Sequence, residues 1–181
     1  VVLTASMRPS TALSADGPLN FFNAVAVAAN QEAAGRGVLV VINDWIHGAS
    51  SLTKTSTTAV QTFMSPLRGL VGTVAYGVAE FYRGPVGKHT FESEFSLDGV
   101  TALPRVDIIM AYEDMDGALI DAAVAAGAKG VVVAGVGNGN LTAPAVKALA
   151  AQSKKGVVCV RSTRVATGLV GRNVELDDDA L

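Results

Sequence analysis

The chain has 181 residues; half are hydrophobic, 17% are charged, and 14 basic against 16 acidic side chains leave a net charge of -2. That much apolar material offsets the entropy of ordering a backbone, which excludes intrinsic disorder, and no collagen or heptad period runs through the sequence. No stretch gathers the Lys and Arg of a nucleic-acid footprint, and Gly, Asn, Arg or Asp interrupts every apolar run before the ~18 residues of a membrane helix. Neither nucleic acid nor membrane is therefore expected as a partner.

In chain order, residues 1–4 are a short apolar run that predicts a parallel strand. They open in mid-strand without Met, no signal peptide is visible, and residues 175–181 offer no clean element to finish on. A piece of a longer chain is expected. Pro9 makes residues 6–11 a loop. Ser14 or Asp16 can cap a helix whose first turn holds Pro18, whose apolar periodicity runs over 19–34 and which Gly35 stops. Residues 37–42 (GVLVVI) predict a strand buried on both faces, completing a βαβ unit. Residues 43–58 predict a loop or weak hairpin, and 70–82 short edge strands.

Domain boundaries are expected at 1–82, 83–104 and 105–181, with the middle segment an interdomain linker marked by Gly84-Pro85 and Gly87-Lys88-His89. The first piece counts too few strands to close a core alone, and its raw sheet edge is expected to associate. After Pro104, strands over 106–111, 130–134 and 156–161 alternate with helices over 117–126 and 142–153. That pattern predicts a small parallel sheet with helices on both faces.

Ligands of parallel α/β sheets sit at the carboxyl ends of the strands, here residues 4–11, 135–140 and 161–168. Gly135-Val136-Gly137-Asn138-Gly139-Asn140 reads as a tight strand-to-helix turn or as an anion loop. It lacks the GxGxxG spacing and a following acidic residue, so a dinucleotide fingerprint is not met. Thr53-Lys54-Thr55-Ser56-Thr57-Thr58 reads as a solvated loop or as a buried amine able to take a proton from a hydroxyl. His47 and His89 have no ligand partners at metal spacing, so no metal is expected. The single Cys159 lies in an apolar run and reads as an inert buried thiol. Asp177-Asp178-Asp179 reads as a solvated acidic turn and Glu175 as surface.

Ser6-Met7-Arg8-Pro9-Ser10-Thr11 with Ser14-Ala15-Asp16-Gly17-Pro18 resembles the signature of bacterial type II L-asparaginases and glutaminase-asparaginases. The resemblance continues, in order, through Asn43-Asp44, Thr53-Lys54-Thr55, Lys88-His89-Thr90, the 135–140 loop and Arg161-Ser162-Thr163-Arg164-Val165. It implies an α/β fold in which part of a flavodoxin-like N-terminal domain precedes a small three-layer parallel C-terminal domain.

It also implies hydrolysis of L-asparagine, and of L-glutamine as a second substrate, by a Thr nucleophile through an acyl-enzyme, with no cofactor. The assembly implied is a homotetramer of intimate dimers with shared sites, in the periplasm or secreted. Under the resemblance Lys54 becomes the catalytic lysine of a relay. Ser6 lines the amide end of the pocket, at a position usually Ala. Asn140 and Glu175 approach the substrate's α-amino group from the partner subunit, which moves Glu175 from surface to site. The family's nucleophile segment matches nothing in this chain, so the isolated chain is expected to be inactive. From another class, the alternative is a non-enzymatic α/β module binding an amino acid or a nucleotide through Asn138, Asn140 and the glycine loop.

Overall fold

The computed structural model describes residues 1–84 and 87–180, so Pro85 of the expected linker turn and the terminal Leu181 lie outside the described residues. Two compact units result, Val1–Ser96 and a second beginning at Leu97.

In the first unit β1 (Val2–Leu3) leads through a loop to α1 (Gly17–Ala29), then to β2 (Leu39–Ile42) and β3 (Trp45–Gly48). A small hairpin, β4 (Thr53–Lys54) with β5 (Phe63–Met64), and a second one, β6 (Gly72–Ala75) with β7 (Val78–Phe81), follow. The main sheet has the order β1-β2-β3-β6-β7, parallel only between β1 and β2. The expected parallel βαβ unit is therefore its β1-α1-β2 corner.

Residues 43–58, expected as a loop or weak hairpin, contain β3 and β4, each one arm of an antiparallel hairpin. Asn43 and Asp44 both take positive φ, and Ile42 pairs with Trp45 across them, a two-residue hairpin turn;. Tyr76 and Gly77 do the same between β6 and β7. These antiparallel additions give the unit the core it was expected to lack: Ala24 and Val27 of α1 pack on Leu39, Val41, Ile46 and Val74.

α1 ends at Ala29, five residues short of the expected 34. Asn30 turns extended and its side chain accepts from Glu32 N–H, starting the separate 3₁₀ turn Gln31–Ala33. The buried side of α1 is Asn20, Asn23, Ala24 and Val27, one stripe at helical spacing;. Its two asparagines work: Asn20 Oδ1 accepts Asn43 N–H at 2.8 Å, and Asn23 Nδ2 donates to Asp44 at 2.8 Å. The helix thus holds the turn that starts β3.

The second unit contains β8 (Val106–Met110), α2 (Ala118–Ala125), β9 (Gly130–Gly135), α3 (Ala143–Ser153) and β10 (Val158–Thr163). The three strands are parallel in the order β10-β9-β8. The parallel α/β class is as expected, but helices on both faces are not found among the described residues. α2 and α3 share one face. Ile120 and Ala123 join Ala145 and Leu149 over Ile109, Val131 and Val133, and Gln152 of α3 donates to Asp121 of α2 at 2.6 Å. The reason is topological. Each strand is added on the same side of the last, so two right-handed crossovers must deliver both helices to the same face. The opposite face stays open, with Ile108 72% exposed beside Val106, Met110, Val158 and Val160.

Strand alternation sends Ile46 into the α1 core and His47 to the sheet's other side, fully buried, with Nδ1 2.9 Å from Ser65 Oγ and Nε2 without a partner among the described residues;. Burial lowers its pKa from 6.5 to about 4. The unfolded chain therefore takes up this proton at a higher pH than the folded one, and stability falls as pH drops from 6.5 towards 4, by about 3 kcal/mol in all. In denaturant melts of the chain, His47→Gln should flatten this acid limb between pH 6.5 and 4. An unchanged slope would show that His47 does not set it.

Candidate active site

In the second unit the chain leaves β9 into residues 135–140 and folds back on itself, Val136 and Asn140 exchanging backbone bonds of 3.0 and 2.7 Å. Glycine is required here by packing. A Cβ on Gly135 would stand 2.4 Å from the Gly139 carbonyl carbon, and Gly139 (φ +78) has Arg161 and the Ser162 carbonyl within 3 Å of where its Cβ would lie;. Leu141 and Thr142 separate this loop from α3, and Thr142 Oγ1 caps the helix by accepting Ala145 N–H at 3.4 Å. The tight-turn reading of the loop holds. The helix start is occupied by its own cap, so the geometry gives no support to the nucleotide reading.

The loop is anchored by Arg161 of β10, whose side chain is only 6% exposed. Its guanidinium grips Asp178 in a fork, Nε to Oδ1 at 2.6 Å and Nη2 to Oδ2 at 2.5 Å;. It also donates to the carbonyls of Asn138 at 2.7 Å and Gly171 at 2.9 Å. Asn138 Oδ1 accepts Gly171 N–H at 2.8 Å, so the segment after β10 is sewn to the glycine loop twice. Asp178, expected in a solvated turn, is instead a half-buried anchor. The bond from Arg161 and then the Asn173 N–H hold its carboxyl down at about 2. Its contribution to stability is thus complete above the ordinary carboxylate value and is lost as pH falls through about 2.

This anchoring brings Glu175 to Asn140, 35 residues away, where Asn140 Nδ2 donates to Glu175 Oε2. Asn140 Oδ1 is buried and has no partner among the described residues. A carboxylate beside an unused carboxamide oxygen is a pair of acceptors, and that suits an ammonium group. Nearby, Cys159 is half-buried and burial pushes its thiol up, which fits an inert role.

In the first unit Ser6 follows β1, at the carboxyl end of a parallel strand. Asn20 Nδ2 donates to Ala5 O at 3.0 Å, and the Asp16 carboxylate accepts Met7 and Arg8 N–H, both at 2.9 Å. The backbone on either side of Ser6 is thereby fixed to α1. Ser14 or Asp16 was expected as a side-chain cap of that helix; Asp16 holds the N-cap position but spends its carboxylate on this loop. Burial raises the Asp16 carboxyl, but these N–H bonds and Asn20 outweigh it and leave the pKa below its ordinary value.

Lys54 lies on β4, exposed, with Nζ 5.8 Å from the centre of the Phe63 ring on β5. The hydroxyls around it split. Thr62 is buried and ties the hairpin by donating to Ser56 O and accepting Ser56 N–H. The described residues leave the Lys54 side chain exposed. Of the four expected site residues, then, Asn140 and Glu175 are brought together, and Ser6 and Lys54 stand on separate elements of the first unit. The pairing of Arg161 with Asp178 escaped sequence reasoning, although Arg161 opens one of the motifs; the visible signal was an Arg closing the apolar run 156–160. Replacing Arg161 by Met should lower the unfolding temperature by several degrees and, in NMR spectra, shift Asn138, Gly171 and Glu175 together. Shifts confined to β10 would contradict the anchoring role.

Residues 1–87 match the family model for the N-terminal domain of asparaginase, and residues 105–181 match that for the glutaminase/asparaginase C-terminal domain. The chain is 48% identical over 178 residues to "Probable L-asparaginase periplasmic" of Haemophilus influenzae, covering 98% of this chain and 51% of that protein. It is 51% identical over 173 residues to "L-asparaginase 2" of Bacillus subtilis, covering 96% and 46%. With "Glutaminase-asparaginase" of Pseudomonas fluorescens biotype A it shares 41% over 180 residues, covering 99% and 49%. The chain spans about half the length of the curated relatives it matches. The two domain models together take in nearly the whole chain, in the order of its two units, and relatives named for the same activity match it at 41–51% identity: the chain belongs to the asparaginase/glutaminase family.

Proposed function

We propose that this chain is part of an amidohydrolase that converts L-asparagine to L-aspartate and ammonia, with L-glutamine as a second substrate. The observation that carries the reading is the Asn140–Glu175 pair, an acceptor set for the α-amino group of an amino acid at the carboxyl end of β9. The names of the relatives, L-asparaginase and glutaminase-asparaginase, support the same chemistry.

In this reading a Thr hydroxyl, not among these 181 residues, attacks the side-chain amide carbon. The C–N bond breaks, the nitrogen leaves as ammonia with the proton taken from the hydroxyl, and water then cleaves the ester to give the acid. An alcohol is a poor nucleophile at its own pKa, so an activating group must draw its proton away. Lys54 serves in that relay, and the desolvation it needs comes from residues that close over it in the complete protein. Ser6, held from both sides by Asn20 and Asp16, lines the amide end of the pocket. Asn140 and Glu175 come from the partner subunit, in a tetramer of intimate dimers. Export to the periplasm or beyond fits the name of the Haemophilus relative.

Proton transfer by a positioned side chain contributes about 10²–10⁴ in rate. In the complete protein Lys54→Met should lower kcat for asparagine by about that factor while leaving KM nearly unchanged. A variant with wild-type kcat would remove Lys54 from the reaction.

A further inference from the structure

The first unit gathers positive charge at a place the proposed reaction does not use. A cavity of about 520 Å³ is lined by Arg36, Arg68, Arg83, Lys88 and His89, with no Asp or Glu among its lining residues. Four of the six Lys and Arg of Val1–Ser96 therefore meet at one site, although the same stretch carries six acidic residues. Among the described residues, the three ion pairs all belong to the second unit.

Two of these cations are pre-positioned by neutral groups. Arg36 lies 4.4 Å from the centre of the Phe81 ring and donates to Glu32 O at 2.5 Å and Arg83 O at 2.6 Å. Arg83 donates to Leu70 O at 2.9 Å and Gly69 O at 2.5 Å. A guanidinium has five N–H donors, and two are spent in each case. Three remain on each half-buried fork, their positive charge unmatched by any carboxylate lining the cavity. Carbonyls orient a guanidinium without neutralising it. Like charges lining one recess raise one another's energy and focus a positive potential into it;.

We propose that this cavity is an anion site for a phosphate-bearing small molecule, separate from the amide-splitting chemistry. The fork geometry of two arginines suits tetrahedral oxyanions with several terminal oxygens, the exposed Arg68 and Lys88 add charge at the mouth, and the volume accommodates a small metabolite. A monocarboxylate would use one fork and leave the other unmatched. A phosphate or pyrophosphate group, with its higher charge, can engage both.

The test is calorimetric titration of the 181-residue chain with pyrophosphate and, separately, citrate at low ionic strength. Saturable one-to-one binding of pyrophosphate is expected, with citrate at least about tenfold weaker. Arg83→Gln should weaken pyrophosphate binding by about tenfold or more. Since Arg83 also holds Leu70 and Gly69, the double variant Arg68→Ala/Lys88→Ala, both exposed, serves as the second reading and should weaken it by about fivefold or more. Citrate binding as tight as pyrophosphate would overturn the phosphate assignment. Absence of saturable binding by the wild-type chain, or equal binding by the wild type and the double variant, would overturn the site.

Discussion

The second unit depends on the fork between Arg161 and Asp178. An arginine buried to this degree cannot be hydrated, so its donors must be answered by the protein. Asp178 answers on one edge, and the carbonyls of Asn138 and Gly171 answer on the other. Because those acceptors come from two segments far apart in sequence, satisfying one charge fixes the path of both. The glycines of the 135–140 loop are the other half of the same constraint, since Gly139 must pass within contact distance of that guanidinium. Glu175 meets Asn140 as a consequence, three residues before Asp178 and two after Asn138 on their respective segments.

Among the described residues, the first unit solves a similar problem without an ion pair. The loop carrying Ser6 is held by Asp16 accepting two backbone N–H groups and by Asn20 reaching Ala5 O, Asp16 and Asn43. Asn20 is buried on the helix face where an aliphatic residue would ordinarily pack. Its cost in desolvation is met by three hydrogen bonds, which tie the first strand, the helix and the next turn into one piece. Both units therefore present loops at strand ends whose backbones are fixed by polar side chains that are largely withdrawn from solvent, the condition for a preorganised site.

Much of this was legible in the sequence. The parallel strands of the second unit appear as apolar runs, and their helices as intervening segments bounded by Gly and Thr142. Asn140 lies in one of the ordered motifs and Glu175 was carried over from the resemblance, while their hydrogen bond is a finding of the structure. What stayed hidden has particular causes. Strand β3 follows Asn43-Asp44, a left-handed turn without the glycine that would advertise it, and Trp45-Ile46-His47-Gly48 is too short for its alternation to stand out. The placement of both helices on one face depends on strand order, which periodicity does not encode. Asp178 looked like one of three solvated carboxylates because its partner, Arg161, lies 17 residues away across a loop. Lys54 is exposed among these residues, so the environment that would activate it could be read neither from the Thr-rich motif nor from the first unit alone.

The central claim is that Asn140 and Glu175 form the acceptor for a substrate's α-amino group. Comparing steady-state hydrolysis of L-asparagine with that of succinamate, which is the same amide without the α-amino group, by the complete protein and its Glu175→Gln variant addresses this directly. The account predicts that the variant loses kcat/KM for asparagine by about tenfold or more, while its kcat/KM for succinamate is nearly unchanged. Equal losses for both substrates would contradict it.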